Sequence, residues 1–344
     1  MENSATVLVT GGTGFVGSHC VLQLLHKGYN VRTTLRSMGR RNELIEMLKT
    51  GGITTIDKLE FIEAELMKDD NWDEAVSGCK YVLHVASPLP AKMPKDGEEI
   101  IRPAVDGTLR VLKAARDAGV KRVVLTSNFG AIGYSHKDPN TVITEEEWTN
   151  PNDKMTAYNK SKVLAERAAW DFINKEGGQL ELSVINPVFI LGPSLGPDCP
   201  SSFTVVQHLL DGSMNAVPNI SFNIIDVRDV ADLHIRAMTN PNAAGQRFLA
   251  LAGGIIRMPE MAVLLKNKLP DVAQKTSTRI LPNWVLNLAA LFNGQARMAA
   301  ALLKTIRNTS NAKARQVLGW TPIASNEEAI VAAVKSMVKF GVLK

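Results

Sequence analysis

The segment TGGTGFVG at residues 10–17 constrains the fold of this chain more than any other feature. It follows the apolar run ATVLVT at residues 5–10 and precedes apolar residues that recur at helical spacing as far as Lys27. Glycine permits a tight turn at Gly11, close approach of a pyrophosphate at Gly14, and close helix–strand packing at Gly17. The N-terminus of the following helix would offer N–H groups to a phosphate. The segment therefore predicts a dinucleotide site at Gly11, Thr13, Gly14, Phe15, Val16 and Gly17.

The first half of the chain alternates apolar strands with amphipathic helices, and strands are expected at 5–10, 30–35, 59–63, 81–86, 121–127 and 180–186. This alternation predicts a parallel sheet covered on both faces. After Pro187 the pattern changes to a loop-rich passage and later helices. We expect an α/β protein with a Rossmann-type doubly wound parallel sheet. Residues 1–190 would form the dinucleotide-binding domain, with 226–238 returning to it, and 191–344 a smaller mixed α/β C-terminal substrate lobe.

Composition excludes several classes of protein. The 344 residues are 45% hydrophobic and 21% charged, which is typical of a globular chain and not of a disordered one. The net charge of +5 is spread along the sequence, whereas a nucleic-acid binder usually clusters its basic residues. Three well-separated cysteines indicate reduced thiols. The sequence has neither a signal-peptide pattern nor a membrane-spanning apolar run. We expect a cytoplasmic protein without a membrane or nucleic-acid partner.

The cofactor is predicted from the end of the second strand. An Asp or Glu at this point would bind the ribose hydroxyls of NAD. This chain has Arg32 and Arg36 there, followed by Arg40 and Arg41, and no acid before Glu43. A guanidinium pairs with a 2′-phosphate, which a carboxylate would repel. We therefore predict NADP(H), although a solvated basic patch is the alternative interpretation of any one arginine.

Tyr158 and Lys162 form the predicted catalytic pair. They lie four residues apart at the start of a long predicted helix, and so on one face of it. A free tyrosine has a pKa of about 10 and is a poor acid–base group at neutral pH. A neighbouring ammonium favours the phenolate and lowers that pKa. A Y-x-x-x-K pattern also occurs by chance, but here it follows a glycine-rich loop and a strand ending in TSN at 126–128.

The sequence resembles an extended short-chain dehydrogenase/reductase, and within that superfamily the dihydroflavonol-reductase-like carbonyl and aldehyde reductases. Matching segments lie along nearly the whole chain: TGGTGFVG at 10–17, VRTTLR at 31–36, AEL at 64–66, HVASP at 84–88, VVLTSN at 123–128, YNKSK at 158–162, INPVFILGP at 185–193, DVRDVADLH at 226–234 and ARQVLGWTP at 314–322. The resemblance implies a Rossmann domain and reduction of a carbonyl by NADPH, with tyrosine as the proton donor. It also implies a C-terminal lobe that selects the substrate.

The resemblance assigns further residues to the cofactor site. It places Glu65 and Leu66 near the adenine, the segment Val85, Ala86 and Ser87 along the cofactor, and Pro187 and Val188 beside the nicotinamide.

The chain departs from the family pattern after the fifth strand. The family has a second serine there that binds the substrate carbonyl, whereas this chain has Asn128 after Ser127. An amide can donate a hydrogen bond but cannot relay a proton as a hydroxyl does. We expect Asn128 to polarise the carbonyl, and Ser127 is the alternative.

Other functions remain open. A nucleotide-sugar epimerase or dehydratase shares the fold and the Tyr/Lys pair, but a diphosphate substrate calls for basic residues, and 187–225 contains no Lys or Arg. A non-catalytic NADP(H)-binding redox sensor is a third hypothesis. No cluster of residues with metal-ligand spacing is present, so no metal is expected. The expected partner is a small carbonyl substrate, largely apolar or aromatic, and the protein is expected to be a monomer or homodimer.

Overall fold

The structure, a computed structural model, describes residues 4–88, 96–303, 305 and 308–343. The strands are β1 (Thr6–Val9), β2 (Asn30–Leu35), β3 (Leu59–Glu63), β4 (Tyr81–His84), β5 (Arg122–Thr126), β6 (Glu181–Pro187), β7 (Phe189–Leu191), β8 (Val217–Pro218), β9 (Ser221–Phe222), β10 (Ile224–Asp226), β11 (Gln246–Ala250), β12 (Ile256–Arg257) and β13 (Ile280–Leu281). The helices are α1 (Phe15–His26), α2 (Arg41–Thr50), α3 (Trp72–Val76), α4 (Glu98–Asp117), α5 (Ala157–Glu176), α6 (Phe203–Leu210), α7 (Val227–Thr239), α8 (Met258–Lys268), α9 (Asn283–Ala289), α10 (Gly294–Leu302), α11 (Ala312–Leu318) and α12 (Asn326–Lys339).

Seven of these strands form one sheet in the order β11-β6-β5-β4-β1-β2-β3, and every neighbouring pair is parallel. The predicted doubly wound fold is confirmed. The strand order reverses between β1 and β4, where the chain leaves β1 toward one edge and later returns to the other side. In open parallel sheets, ligands bind at the carboxyl ends of the strands beside such a reversal. The glycine segment at residues 10–17 lies at this point.

The sheet is buried on both faces because successive side chains of a strand point to opposite sides. In β1, Val7 and Val9 pack in a core with α1, α2 and α7, whereas Leu8 packs on the other face with α3, α4 and α5. Burial on both faces explains why the central strands consist of consecutive apolar residues.

The lobe has a separate apolar core. It joins α6, α8 and α12 with short paired strands, in which β10 pairs with β7, β12 with β9 and β13 with β8. Phe203 and Met261 are fully buried there.

Two segments of the range 191–344 lie on the large sheet and not in the lobe. β11 pairs in parallel with β6 and forms the sheet edge, a strand that the sequence did not predict. Trp320 is fully buried in the same core as α1 and α7. Helix α7 itself lies against α1, where Gln23 Nε2 donates to the main-chain oxygen of Arg228 at 2.8 Å. Among the described helices, none combines the length and the apolar character required to cross a membrane.

Candidate active site

The glycine loop joins β1 to α1 with backbone geometry that side chains would disturb. Gly11 has a φ of 72°, which glycine adopts without strain. A Cβ added at Gly17 would lie 2.2 Å from the main-chain oxygen of Gly11. Gly14 is the N-cap residue of α1 and has no side chain to cap the first turn. The N–H groups of that turn therefore face the loop without a capping side chain, as an anion-binding helix requires.

The other predicted residues of this loop point in different directions. The ring of Phe15 meets that of Phe203 from the lobe at a centroid distance of 5.4 Å. Val16 packs, partly buried, against the core of the sheet, and Thr13 is partly exposed. Phe15 therefore joins the glycine loop to the lobe.

The segment after β4 lies against the glycine loop. The N–H groups of Val85 and Ala86 each donate to Thr10 Oγ1 at 3.0 Å. A Cβ added at Gly11 would lie 3.0 Å from the Cβ of Ala86. These contacts hold Val85, Ala86 and Ser87 at the carboxyl end of β4, next to the predicted pyrophosphate position.

The four arginines after β2 have different partners. Arg36 is exposed and has no hydrogen bond or ion pair with any residue in the described part of the chain. Arg32 is the reverse case, since it pairs with Glu60 at 2.8 Å and donates to main-chain oxygens at the end of α3. Arg40 forms a fork with Glu43, with bonds of 2.7 and 2.6 Å. Arg41 lies over the ring of Phe61. Of the four, Arg36 is thus the arginine whose guanidinium has neither a bonded partner nor a ring contact among the described residues, and it is available to a phosphate.

The predicted adenine residues lie after β3. Glu65 pairs with Lys68 at 3.0 Å, and its main-chain oxygen accepts a hydrogen bond from Trp72 Nε1 at 3.3 Å. Leu66 lies so close to α4 that a Cβ at Gly107 would be 3.0 Å from the Cβ of Leu66. The sheet order places both residues beyond β2, on the side where Arg36 lies.

Tyr158 and Lys162 occupy the first two turns of α5. Thr156 caps this helix, since its hydroxyl accepts from the N–H of Asn159 at 3.2 Å. Burial raises the pKa of Tyr158, and a hydrogen bond from the Asn128 side chain opposes that rise. The expected lowering of this pKa by Lys162 is not found, and the hydrogen bond with Asn128 has that effect instead. The phenol is therefore protonated at neutral pH and can act as a proton donor.

Burial lowers the pKa of Lys162 to about 8, and the carboxylate of Glu166 opposes the decrease. His84 is close enough for the ammonium to disfavour its protonation, and burial and Lys162 together lower the pKa of His84 to about 3. His84 is therefore neutral, and its Nδ1 lies 3.0 Å from Thr10 Oγ1. Lys162 remains largely protonated at neutral pH.

Ser127 and Asn128 point to different places. Asn128 has extended backbone angles at the end of β5, and its side chain bonds to Tyr158. Ser127 is buried and lines a small cavity together with Ser87, Lys162 and Glu166. Its Oγ has no hydrogen-bond partner among the described residues. The structure brings Asn128 to the phenol and Ser127 to the ammonium side of the pair.

Pro187 is the last residue of β6, and Val188 follows it before β7 begins. Both are buried, and the N–H of Val188 donates to the main-chain oxygen of Ala250 at 3.1 Å. This bond fixes the segment between β6 and β7 against β11. Within the described residues, no group of three His, Cys, Asp or Glu residues is arranged to hold a metal ion.

A buried polar network that was not predicted from the sequence lies behind α5. Arg247 Nε donates to Glu166 Oε1 at 2.6 Å, and Asn186 Nδ2 donates to Glu166 Oε2 at 2.8 Å and to the main-chain oxygen of Asn128 at 3.2 Å. One signal was available, since Glu166 follows Lys162 by four residues and must share its helix face. The partner Arg247 lies 81 residues further along the chain and could not be recognised from spacing.

Comparison with known proteins places this arrangement in a family. The model of the NAD dependent epimerase/dehydratase family matches residues 7–250, which is more than two thirds of the chain. The chain belongs to this family of extended short-chain dehydrogenases/reductases. The resemblance found in the sequence is confirmed.

Relatives within the extended short-chain dehydrogenases/reductases cover most of the chain. The putative NADPH-dependent methylglyoxal reductase GRP2 of Candida albicans is 33% identical over 340 residues, covering 93% of this chain and 95% of the relative. Cinnamoyl-CoA reductase CAD2 of Medicago truncatula is 34% identical over 273 residues, covering 77% and 81%. The structure of yeast methylglyoxal/isovaleraldehyde reductase Gre2, complexed with NADPH, has a TM-score of 0.81 and 26% identity, covering 98% of this chain and 99% of that one.

Proposed function

We propose that this protein is an NADPH-dependent reductase that converts an aldehyde or ketone to the alcohol, with Tyr158 as the proton donor. The observation that carries the proposal is a chain of contacts at the carboxyl ends of the strands. Tyr158 bonds to Asn128 after β5, and Lys162 acts on His84, whose Nδ1 lies 3.0 Å from Oγ1 of Thr10 in the glycine segment. The names of the relatives support it, because those cited are reductases.

The residues of this chain can perform three tasks. The Asn128 amide donates a hydrogen bond toward the phenol oxygen, and a substrate carbonyl bound there would accept from the same pair. The protonated phenol of Tyr158 can give its proton to the developing alkoxide. The ammonium of Lys162, one helical turn further along α5, would hold the nicotinamide ribose hydroxyls and so orient the ring for hydride transfer.

The residues present fit NADPH. The cradle has no space for side chains at Gly11 and Gly17, so main-chain N–H groups can approach a pyrophosphate. Arg36 has its guanidinium available for the 2′-phosphate, and Arg40 could join it only by giving up part of its pairing with Glu43. When bound, NADPH supplies the hydride that reduces the carbonyl carbon.

The substrate is proposed to be neutral and largely apolar or aromatic. Residues 187–225, which begin beside the predicted nicotinamide position, contain no Lys or Arg. Aromatic rings lie in this part of the lobe, with Phe189 and Phe222 at a centroid distance of 4.8 Å. A nucleotide-sugar diphosphate would lack a cationic partner in this segment, which favours carbonyl reduction over epimerase or dehydratase chemistry.

The central experiment follows the loss of NADPH absorbance with a panel of aldehydes and ketones, methylglyoxal and aryl ketones included. Tyr158→Phe should lower kcat at least about 100-fold, since general acid catalysis contributes about 10²–10⁴-fold. Tyr134→Phe is the matched control, because this phenol also affects the pKa of Tyr158 but is not the proposed proton donor. Its kcat should stay close to that of the wild type, because Tyr134 acts on Tyr158 electrostatically and is not the group that gives the proton.

Two outcomes would refute the proposal. Equal turnover by the wild type and Tyr158→Phe would remove the phenol from the mechanism. Tight NADPH binding without turnover of any carbonyl would favour the redox-sensor hypothesis.

Cofactor selectivity provides a second test. Arg36→Ala should raise the KM for NADPH about 10- to 100-fold, since one charge-assisted pair contributes about 1.5–3 kcal/mol. The KM for NADH should not change, because NADH has no 2′-phosphate. Arg41→Ala is the control, and neither KM should change. An unchanged NADPH preference in Arg36→Ala would assign the 2′-phosphate to another residue.

A further inference from the structure

A buried carboxylate lies directly behind the proposed catalytic pair. The Glu166 side chain has no exposed surface, and both of its oxygens accept hydrogen bonds. Oε1 binds Arg247 on β11, and Oε2 binds Asn186 on β6. A buried ion pair usually costs desolvation energy that its attraction barely offsets, so stability alone does not explain its presence.

The position of Glu166 connects it to both halves of the site. Through Asn186 it is linked to the main-chain oxygen of Asn128, whose side chain bonds to Tyr158. On its own helix it follows Lys162 by one turn, and the two side chains line the same small cavity. The Glu166 carboxylate thus contacts Asn186, which supports Asn128, and it also shares a cavity with the Lys162 ammonium.

We propose that Glu166 is a positioning residue, whose carboxylate keeps Lys162 charged and holds the Asn128 main chain for proton transfer at Tyr158. This inference rests on the proposed reductase function. It assigns to the Glu166–Arg247 pair a role in orienting the site, in addition to joining β11 to α5.

The groups facing Lys162 come from every element packed around it. On α5 they are Glu166 and Tyr158, and on β4 the neutral His84. The other polar residues that line the cavity are uncharged. They are Thr108 on α4, Thr126 on β5, Ser87 after β4 and Ser127 after β5. Glu166 is therefore the anion that favours the ammonium against its burial.

Glu166→Gln tests the charge, because it removes the anion and keeps the shape. Activity should fall as pH rises and Lys162 loses its proton. Without the carboxylate this alkaline limb of kcat/KM should move to lower pH by about one pH unit, since an opposite charge within a few ångströms shifts a pKa by about 1–3.

Arg247→Met is the matched control, because it breaks the same ion pair from the other side and leaves the carboxylate in place. Its alkaline limb should stay or move to higher pH, since the carboxylate then acts on Lys162 without a competing cation. Movement of both variants in the same direction, or an unmoved limb in Glu166→Gln, would overturn the inference.

The affinity for NADPH gives a readout that does not need turnover. The NADPH dissociation constant is measured against pH by quenching of tryptophan fluorescence. Lys162→Met gives the value for a site that has no ammonium. In Glu166→Gln the dissociation constant should rise toward that value at a pH about one unit lower than in the wild type. An inactive wild type that shows this shift would refute the reductase proposal and keep the role of Glu166. If the wild type reduces carbonyls but Glu166→Gln does not show this shift in NADPH affinity, the reductase proposal stands and the role of Glu166 is refuted.

Glu166→Asp covers the case in which Glu166→Gln does not fold. Aspartate keeps the negative charge but is one methylene shorter. The alkaline limb of kcat/KM should therefore stay within about half a pH unit of the wild-type position, while kcat falls about tenfold. Wild-type kcat in Glu166→Asp would overturn the positioning role.

Discussion

Replacing Asp229 by Asn should stabilise the protein at neutral and alkaline pH. Asp229 lies in α7 and is fully buried. Its Oδ1 accepts from Trp320 Nε1 at 3.2 Å and from the N–H of Ile323 at 2.8 Å, which attaches the C-terminal segment to the sheet core. Its Oδ2 has no hydrogen-bond partner in the described part of the chain. Burial, together with the nearby Asp226 carboxylate, raises the pKa of Asp229 from 3.8 to about 6.

The size of the effect follows from this pKa. The pKa is higher in the folded than in the unfolded protein, so folding favours the protonated carboxyl. That contribution to stability is fully present below about pH 4 and is lost as pH rises through about 6. The gap between 3.8 and about 6 corresponds to about 3 kcal/mol. Asparagine keeps the acceptor oxygen for Trp320 and carries no charge, so its contribution does not depend on pH.

Urea unfolding of the wild type and Asp229→Asn between about pH 4 and about pH 8 measures the difference. The variant should match the wild type at the acid end and exceed its free energy of unfolding by about 3 kcal/mol at the alkaline end. Asp232→Asn on the same helix is the control, since it breaks the ion pair with Arg236 and should not stabilise. A difference between the wild type and Asp229→Asn that is constant across pH would refute the reasoning.

Three further predictions concern the site and its support. Gly17→Ala should cost about 1–3 kcal/mol of stability and weaken NADPH binding, because its Cβ would lie 2.2 Å from a carbonyl oxygen of the same loop. Gly39→Ala is the control and should change neither urea unfolding nor cofactor titration. Arg32→Leu should cost about 1–3 kcal/mol, since it leaves main-chain carbonyls at the end of α3 without their donor, yet leave the preference between NADPH and NADH unchanged. Asn128→Ala should lower kcat/KM about tenfold or more and Ser127→Ala by less; the reverse order in steady-state kinetics would exchange their roles.

The sequence contained enough information for the order of the main elements. Strands β1 to β6 were predicted at nearly their observed bounds because apolar runs and glycines are local signals. β11 was missed because QRFLA at 246–250 mixes polar and apolar residues, and its place at the edge of the sheet comes from pairing with β6. Helices were expected after Pro187, but α6, α10 and α11 were not individually predicted, and neither was the burial of Trp320 against the sheet.

Features that depend on short spacing could be predicted from the sequence alone. They are the glycine turn between a strand and a helix at residues 10–17 and the placement of Tyr158 and Lys162 on one face of α5. Which polar groups meet follows from the packing of the folded chain. This packing engaged Arg32 at the end of α3 and left Arg36 available, and it paired Glu166 with Arg247 from a strand far along the chain. Such contacts depend on how distant elements pack, and helical and strand periodicity record only which face of each element is buried.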